Sequence, residues 1–431
     1  MRPGRLALRL AGLFGSPLEI RHRVRAEEER FFRWVLLAVV LGMGTGLAVA
    51  AFDFVLREQA VIALYQVHRA LLFFALPIVG LLAAALAVRF LVPSRESALT
   101  EAYIIAFHDV SRPLRLRDVP GKMLASFATV ACGGSMGLEG PSIYLGAALG
   151  DSAQRRFVRL FRREDAKLLM VAGAAAGMAA IFKAPLTGVV FALEAPYLIG
   201  LVGRALVPSL VAACSSYITF VFLAGSEPIF ISAAISHADL LEIALALVLG
   251  LVCGLGARVF VMATKGATRL LHRLPIVPRA LLAGVAVGAV GTGIFEVFHH
   301  PYIYGPGYML IRHLLEEPEP VSLLLLLFAA KVGATALTTG GGGVGGLFFP
   351  MAVMGTILGS AFGHLAPETP NAFYPLIGLA AFIAGGYRTP LAAAVFVAET
   401  TGSPWTLIPA TLASVMAFLV SGPKGISDEQ Q

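Results

Sequence analysis

Residues 122–150 read KMLASFATVACGGSMGLEGPSIYLGAALG, and residues 331–359 read KVGATALTTGGGGVGGLFFPMAVMGTILG. Aligned without a gap, 11 of the 29 positions are identical, at an offset of 209. Among them are Lys122/Lys331, Gly133/Gly342, Gly134/Gly343, Gly137/Gly346, Leu138/Leu347, Pro141/Pro350, Gly146/Gly355 and Gly150/Gly359. Two further pairs keep nearly the same spacing. FKAPLTGVVFALE (182–194) matches YRTPLAAAVFVAE (387–399) at an offset of 205, and LGMGTGLAVAAF (41–52) matches LGLVCGLGARVF (249–260) at 208. Apolar composition alone does not produce three registers so alike, so the chain is an internal duplication. It divides into a basic segment 1–32, a first repeat 33–225, a connection 226–237, a second repeat 238–421 and a short polar tail 422–431.

The repeats are apolar. Of 431 residues, 58% are hydrophobic and 14% charged, with a mean hydropathy of +0.82. A soluble domain carries roughly 25% charged residues, which excludes that class. Trp34–Phe52, Leu71–Val92, Leu241–Ala263, Ala280–Phe298 and Val321–Leu337 are each close to the ~20 residues with which a helix crosses hydrocarbon. Lipid leaves the backbone no outside partner, so such segments are helices or strands of a closed barrel. The alternation of barrel strands is missing. The expected fold is an all-α polytopic membrane protein. Cys132, Cys214 and Cys253 have no metal-ligand spacing and read as small apolar residues, so no metal site is expected.

Charge gives orientation. The net charge is +7, and Arg2, Arg5, Arg9, Arg21, Arg23, Arg25, Arg30 and Arg33 crowd the start of the chain. No apolar core or cleavage site marks a signal peptide there. An amphipathic basic segment on the cytoplasmic face fits the positive-inside rule. A nucleic-acid-binding arm is the other use of such charge, and the hydrophobic chain behind it argues against that partner. The first span then runs from inside to outside. Its counterpart in the second repeat ends in Lys265, Arg269, Arg273 and Arg279, an inside end, so it runs the other way. The repeats are inverted, an architecture that places a transporter's binding site near mid-membrane, on interrupted helices. The basic loops Arg112–Arg117 and Arg155–Lys167 are also expected in the cytoplasm.

The glycine-rich runs before Pro141 and Pro350 break one helix, and each proline suits the first turn of the next. Each repeat should therefore carry a helix that starts at membrane depth, broken or re-entrant. Its unpaired N–H groups and partial positive charge make an anion site. One such turn reads as helix packing through small residues; two at matching places point to an ion. Within this segment Glu139 has Phe348 as its repeat partner. A carboxylate at an apolar helix start is costly unless it has a role. As a tethered anion it can occupy the anion site and leave when protonated, which makes a pH-coupled gate. A plain helix cap is the alternative. Glu194 and Glu399, being duplicated, read as structural acceptors of backbone donors. Lys122 and Lys331 read as snorkelling or carboxylate-paired. No His-Glu-x-x-His, nucleophile elbow or phosphate-binding lysine motif is present, so an intramembrane enzyme or a scaffold has little support.

Gly137-Leu-Glu-Gly-Pro141 resembles the Gly-Arg-Glu-Gly-Pro motif of the CLC chloride channels and chloride/proton antiporters. Gly345-Gly-Leu-Phe-Phe-Pro350 resembles their Gly-x-Phe-x-Pro motif, and Phe182-Lys-Ala-Pro-Leu-Thr-Gly188 is also similar to family sequence. The likeness covers about residues 30–421. It implies an inverted-repeat fold and a homodimer with one pathway per subunit. It implies chloride transport, with protons as a second substrate if exchange operates, and no cofactor. Glu139 matches the gating glutamate, and Leu138 and Gly140 flank it at the outer helix start. Leu347, Phe348 and Phe349 match the backbone that binds the central anion. Where the family has Gly-Ser-Gly-Ile-Pro-Glu, this chain has Glu96-Ser-Ala-Leu-Thr-Glu101, so Ser97 is the matching hydroxyl and favours chloride. The family's tyrosine aligns with Pro404, and the internal acid of the antiporters with Ala195. Leu138 replaces an arginine. Ala195 and the missing tyrosine lean towards a channel; a short prokaryote-like chain, in a plasma membrane, leans towards exchange. A fluoride-selective relative is the further alternative, opposed by Ser97 and by Gly140-Pro141.

Overall fold

The computed structural model describes residues 17–56, 70–157, 167–227, 229–230, 239–366 and 372–430. Residues 1–16 of the basic segment, most of the 226–237 connection and most of the 155–167 loop lie outside the described residues. Residues 17–32 do not form a separate element: they open a 37-residue helix that runs on into the first span.

Among the described residues there are sixteen α-helices, eight in each half. The first set is α1 (Pro17–Asp53), α2 (Ala70–Leu91), α3 (Thr100–His108), α4 (Val119–Ala131), α5 (Glu139–Arg156), α6 (Leu168–Phe182), α7 (Pro185–Glu194) and α8 (Leu206–Ala224). The second is α9 (Leu240–Leu271), α10 (Ile276–Phe298), α11 (Tyr308–Glu316), α12 (Val321–Gly340), α13 (Phe348–Gly363), α14 (Phe373–Tyr387), α15 (Pro390–Thr401) and α16 (Leu407–Val420). Each helix of the second set corresponds to the one eight places before it. Among the described residues six segments are long and apolar enough to cross a membrane, and the five apolar runs named above fall on five of them. The sixth, Gly203–Ala224, is diluted in sequence by Pro208, Ser209, Ser215 and Ser216.

The shorter helices make the interior. With 18 and 16 residues, α5 and α13 span about 27 and 24 Å at ~1.5 Å per residue. Both are less than the ~30 Å of hydrocarbon, so neither is long enough to cross it alone. Every residue of α6 and α14 is buried, while Leu71, Phe90 and Phe222 on the long helices are largely exposed, as a lipid-facing surface requires. Glycine sets the approach of α5 to α6. A Cβ on Gly150 would stand 1.9 Å from the Leu169 carbonyl oxygen; on its partner Gly359 it would stand 2.1 Å from that of Tyr374, on α14. Small residues at such contacts let helix backbones touch.

Neither duplicated lysine snorkels, and carbonyls rather than carboxylates are their hydrogen-bond partners. Lys122 Nζ donates to Ala98 O (2.6 Å) and sits over the Tyr144 ring. Lys331 Nζ donates to Ile303 O (3.0 Å) and Gly305 O (3.1 Å). The two links that precede α3 and α11 have no helical bonds to occupy these carbonyls, so a buried ammonium pins each one.

Candidate functional site

The glycine-rich turns of the two halves meet. Gly137 N donates to Gly346 O and Gly346 N to Gly137 O, both at 2.8 Å, as an isolated antiparallel bridge. Ser135 N donates to Thr338 Oγ1 (3.2 Å) and Val344 N to Thr129 Oγ1 (3.0 Å). Thr129 and Thr338 are repeat partners, as are Ser135 and Val344. Reciprocal contact of this kind is the mark of a two-fold relation. The same exchange fixes a second pair of helix starts. Glu194 accepts from Leu391 N (3.2 Å) and Ala392 N (2.9 Å) at the start of α15. Glu399 accepts from Leu186 N (2.9 Å), Thr187 N (2.8 Å) and Thr187 Oγ1 (2.8 Å) at the start of α7. Each half thus caps a helix of the other, and both glutamates bond backbone donors as expected.

Bringing the turns together sets the N-terminus of α5 against that of α13. A Cβ on Gly140 would stand 3.0 Å from Gly346 Cα. Into this junction points Glu139, which is 1% exposed. Its carboxyl turns to the opposing helix: Oε1 accepts from Phe348 N at 2.7 Å and from Phe349 N at 3.2 Å. Those amides are orphans of the first turn of α13, where the helix dipole is positive. Oε2 is buried and has no hydrogen-bond partner. The carboxyl lies flat on the paired glycines. A Cβ on Gly137 would stand 2.0 Å from Oε2, and one on Gly346 would stand 2.2 Å from Cδ and from Oε1. Only glycine leaves that slot open. Aromatic rings enclose it: Phe182 and Tyr387, a repeat pair, lie 5.0 and 6.1 Å from the Phe348 ring, and Phe396 lies 5.0 Å from it. Chemically this is an enclosed seat with two convergent N–H donors, taken up by the Glu139 carboxyl.

The sequence profile described as voltage gated chloride channel matches residues 79–422. The chain belongs to that family. An H(+)/Cl(-) exchange transporter ClcA of Salmonella arizonae is 31% identical over 461 residues, covering 98% of this chain and 89% of that protein. The ClcA of Salmonella paratyphi B is 31% identical over 427 residues, with 90% and 85% covered. Two solved structures share the fold. A slow cyanobacterial Cl-/H+ antiporter superposes with a TM-score of 0.80 at 23% identity, covering 91% of this chain and 96% of that one. A CLC-type fluoride/proton antiporter gives 0.79, also at 23%, over 93% and 98%.

Within this family fold, Leu138, Gly140, Leu347, Phe348 and Phe349 are buried together around Glu139. Two of the expected positions are not part of that cluster. Ser97 is exposed in the link before α3, and Pro404 is exposed where it opens the short turn Pro404–Thr406. The loss of the flanking glycine and proline leaves Ser97 without a fixed register, and Pro404 lies on the turn between α15 and α16. Another hydroxyl lies close to the cluster. Tyr387, the last residue of α14, stands beside the Thr100 side chain and the Leu347 backbone, and the charges acting on it are those of Glu101 and Glu139. Sequence reasoning passed over it, yet the signal was present: its repeat partner is Phe182, a polar/apolar mismatch like that of Glu139 with Phe348. Ala195 is buried, and its carbonyl accepts from Gln430 in the tail (2.9 Å).

Proposed function

We propose that this protein exchanges chloride for protons across a bacterial plasma membrane, through a pathway that Glu139 closes and opens. The bond from the Phe348 and Phe349 amides to Glu139 Oε1 carries this reading. A carboxylate and a chloride compete for the same donors. Protonation removes the carboxylate's charge and its advantage at the positive end of α13, so chloride can replace it. Both lone pairs of Oε1 that face the helix are engaged, so the proton goes to Oε2. The neutral acid then releases its proton to the other side, and the side chain, charged again, returns to the seat and expels the chloride. The relatives, which are named as H(+)/Cl(-) exchange transporters, support this direction. Transport by this route calls for no cofactor, resident metal or enzymatic step, chloride being the cargo.

Leu138 and Gly140 would bind the ion at the outer helix start, and Leu347, Phe348 and Phe349 at the centre. The molecule would work as a homodimer with the start of α1 in the cytoplasm, consistent with its basic sequence and the inverted halves. Passive conduction is the second reading, favoured by the methyl group at Ala195. Purified protein in liposomes under a chloride gradient separates the two. Proton uptake against its own gradient supports exchange, and chloride flux without protons means conduction. Glu139→Gln should remove proton movement and pH dependence; if it leaves both intact, Glu139 is not the gate.

A further inference from the structure

Past α16 the chain folds back. Ile426 N donates to Gly386 O at 2.8 Å, and Arg388, stacked 4.0 Å over the Phe418 ring, bonds Gly422 O. Asp428 pairs with Lys265 on α9 at 2.6 Å. These ties carry Gln430 into a space between the halves. It is 6% exposed, and its Nε2 donates to Ala195 O and to Tyr387 O, each at 2.9 Å. Ala195 closes α7 in the first half, and Tyr387 closes α14 in the second.

Two helix C-termini thus converge on one side chain, the reverse of the two N-termini that meet at Glu139. The ends of helices carry unpaired carbonyls and partial negative charge. The spot is rich in acceptors: two terminal carbonyls with lone pairs to spare, and Gln430 Oε1, which is buried without a partner. Such a group needs a donor, and a water with two to four polar partners is the usual one. The surrounding partial charge favours that water when it carries an extra proton. The side chain of Tyr387 leads inward from here: its ring stands 6.1 Å from that of Phe348, whose amide holds Glu139, and its hydroxyl lies beside the Thr100 side chain.

We propose that Gln430 holds a proton-carrying water and is the inner station from which protons reach Glu139 by way of Tyr387. This rests on the exchange reading and adds the route that a methyl group at Ala195 leaves unexplained. No bond to carbon changes: a proton moves from the held water to the Tyr387 oxygen as that hydroxyl passes its own to Oε2 of Glu139. The charged groups around Gln430 are Arg388 on the α14–α15 turn, Asp428 and Glu429 on the tail, Lys265 on α9 and Glu194 on α7. Those acting on Tyr387 are Glu101 and Glu139. Gln430 is a positioning residue for water, so its removal should move coupling rather than chloride.

The test is Gln430→Met, which keeps length and packing without polar atoms, beside Gln430→Glu, which restores an acceptor. In liposomes the Met variant should lose about fivefold or more of its proton flux per chloride, and the Glu variant should regain most of it. An unchanged ratio in Q430M overturns the proposal, as does a loss that Q430E does not repair. If the wild type moves chloride without protons, the exchange reading fails on its own. The station is then read in planar bilayers, by the response of chloride current to pH on the cytoplasmic side. That response should be lost in Q430M and kept in Q430E, and equal responses in all three refute it.

Discussion

Replacing Glu139 with alanine should tighten chloride binding, and the structure sets the size of the gain. On the proposed mechanism, chloride must displace a carboxylate held by two amides, at 2.7 and 3.2 Å. Hydrogen bonds to a charged group are worth about 1.5–3 kcal/mol each, so about 4.5 kcal/mol in mid-range. Against this stand the desolvation of the unpartnered Oε2, about 2 kcal/mol, and the ordering of a glutamate side chain, up to ~2 kcal/mol. About 0.5 kcal/mol remains in favour of the seated carboxylate, which corresponds to roughly a twofold penalty on chloride affinity. Glu139→Ala removes that competitor while leaving the Phe348 and Phe349 amides in place. Calorimetric titration of chloride into detergent-solubilised protein should show about twofold tighter binding than wild type at pH 7.5. The sign with pH follows from the same competition. Wild-type affinity should rise as pH falls and Glu139 becomes neutral, and Glu139→Ala should be flat. Equal affinities at pH 7.5 with the same pH response in both proteins would show that the carboxylate and the ion do not share the seat.

Gly150→Ala should lower thermal stability, because its Cβ meets the Leu169 carbonyl at 1.9 Å; overpacking of this kind costs about 1–3 kcal/mol, read as a drop in melting temperature by fluorescence-detected size exclusion. Glu399→Ala should cost about 1–3 kcal/mol of stability through the bare amides of Leu186 and Thr187, and Glu399→Gln should recover part of it in the same assay. Gly346→Ala should abolish chloride binding as well as displace Glu139, since its Cβ would stand 2.2 Å from Oε1, where the ion would sit; calorimetry that still shows chloride uptake would contradict that geometry. Lys331→Met should destabilise by roughly 2 kcal/mol or more, because the carbonyls of Ile303 and Gly305 lose their donor in a buried link.

Architecture was legible because the repeat was. Glycine and proline keep their places at matching sites for backbone reasons that hold in both halves, so Gly137/Gly346 and Pro141/Pro350 announced two helix starts before any helix was located. Glu139 stood out as a carboxylate against a phenylalanine. Its destination did not, because a side chain at the start of α5 reaches its donors on α13, 209 residues away. For the same reason Glu194 and Glu399 could be read as acceptors of backbone donors, while the exchange of partners between halves could not. Ser97 and Pro404 went astray where the family pattern itself was broken, and an extended link or a tail has no periodicity to restore the register. Gln430 lay in a polar stretch that reads as solvated; only the ties of Ile426, Arg388 and Asp428 show why it is buried.

A two-fold scaffold explains why the site must be asymmetric. Symmetry supplies two amide-bearing helix starts, α5 and α13, facing each other across the Gly137–Gly346 bridge. Were both to carry an acid, each carboxylate would reach for the other's amides, and two like charges would share a slot that a single Cβ is enough to fill. With Phe348 opposite Glu139 there is one acid, one pair of amides for it to bond and a ring beside them. The second mismatch, Tyr387 against Phe182, puts the added hydroxyl on one side of that slot only. Direction in the pathway therefore comes from a few positions where the halves disagree, and the agreement of the rest holds those positions in register.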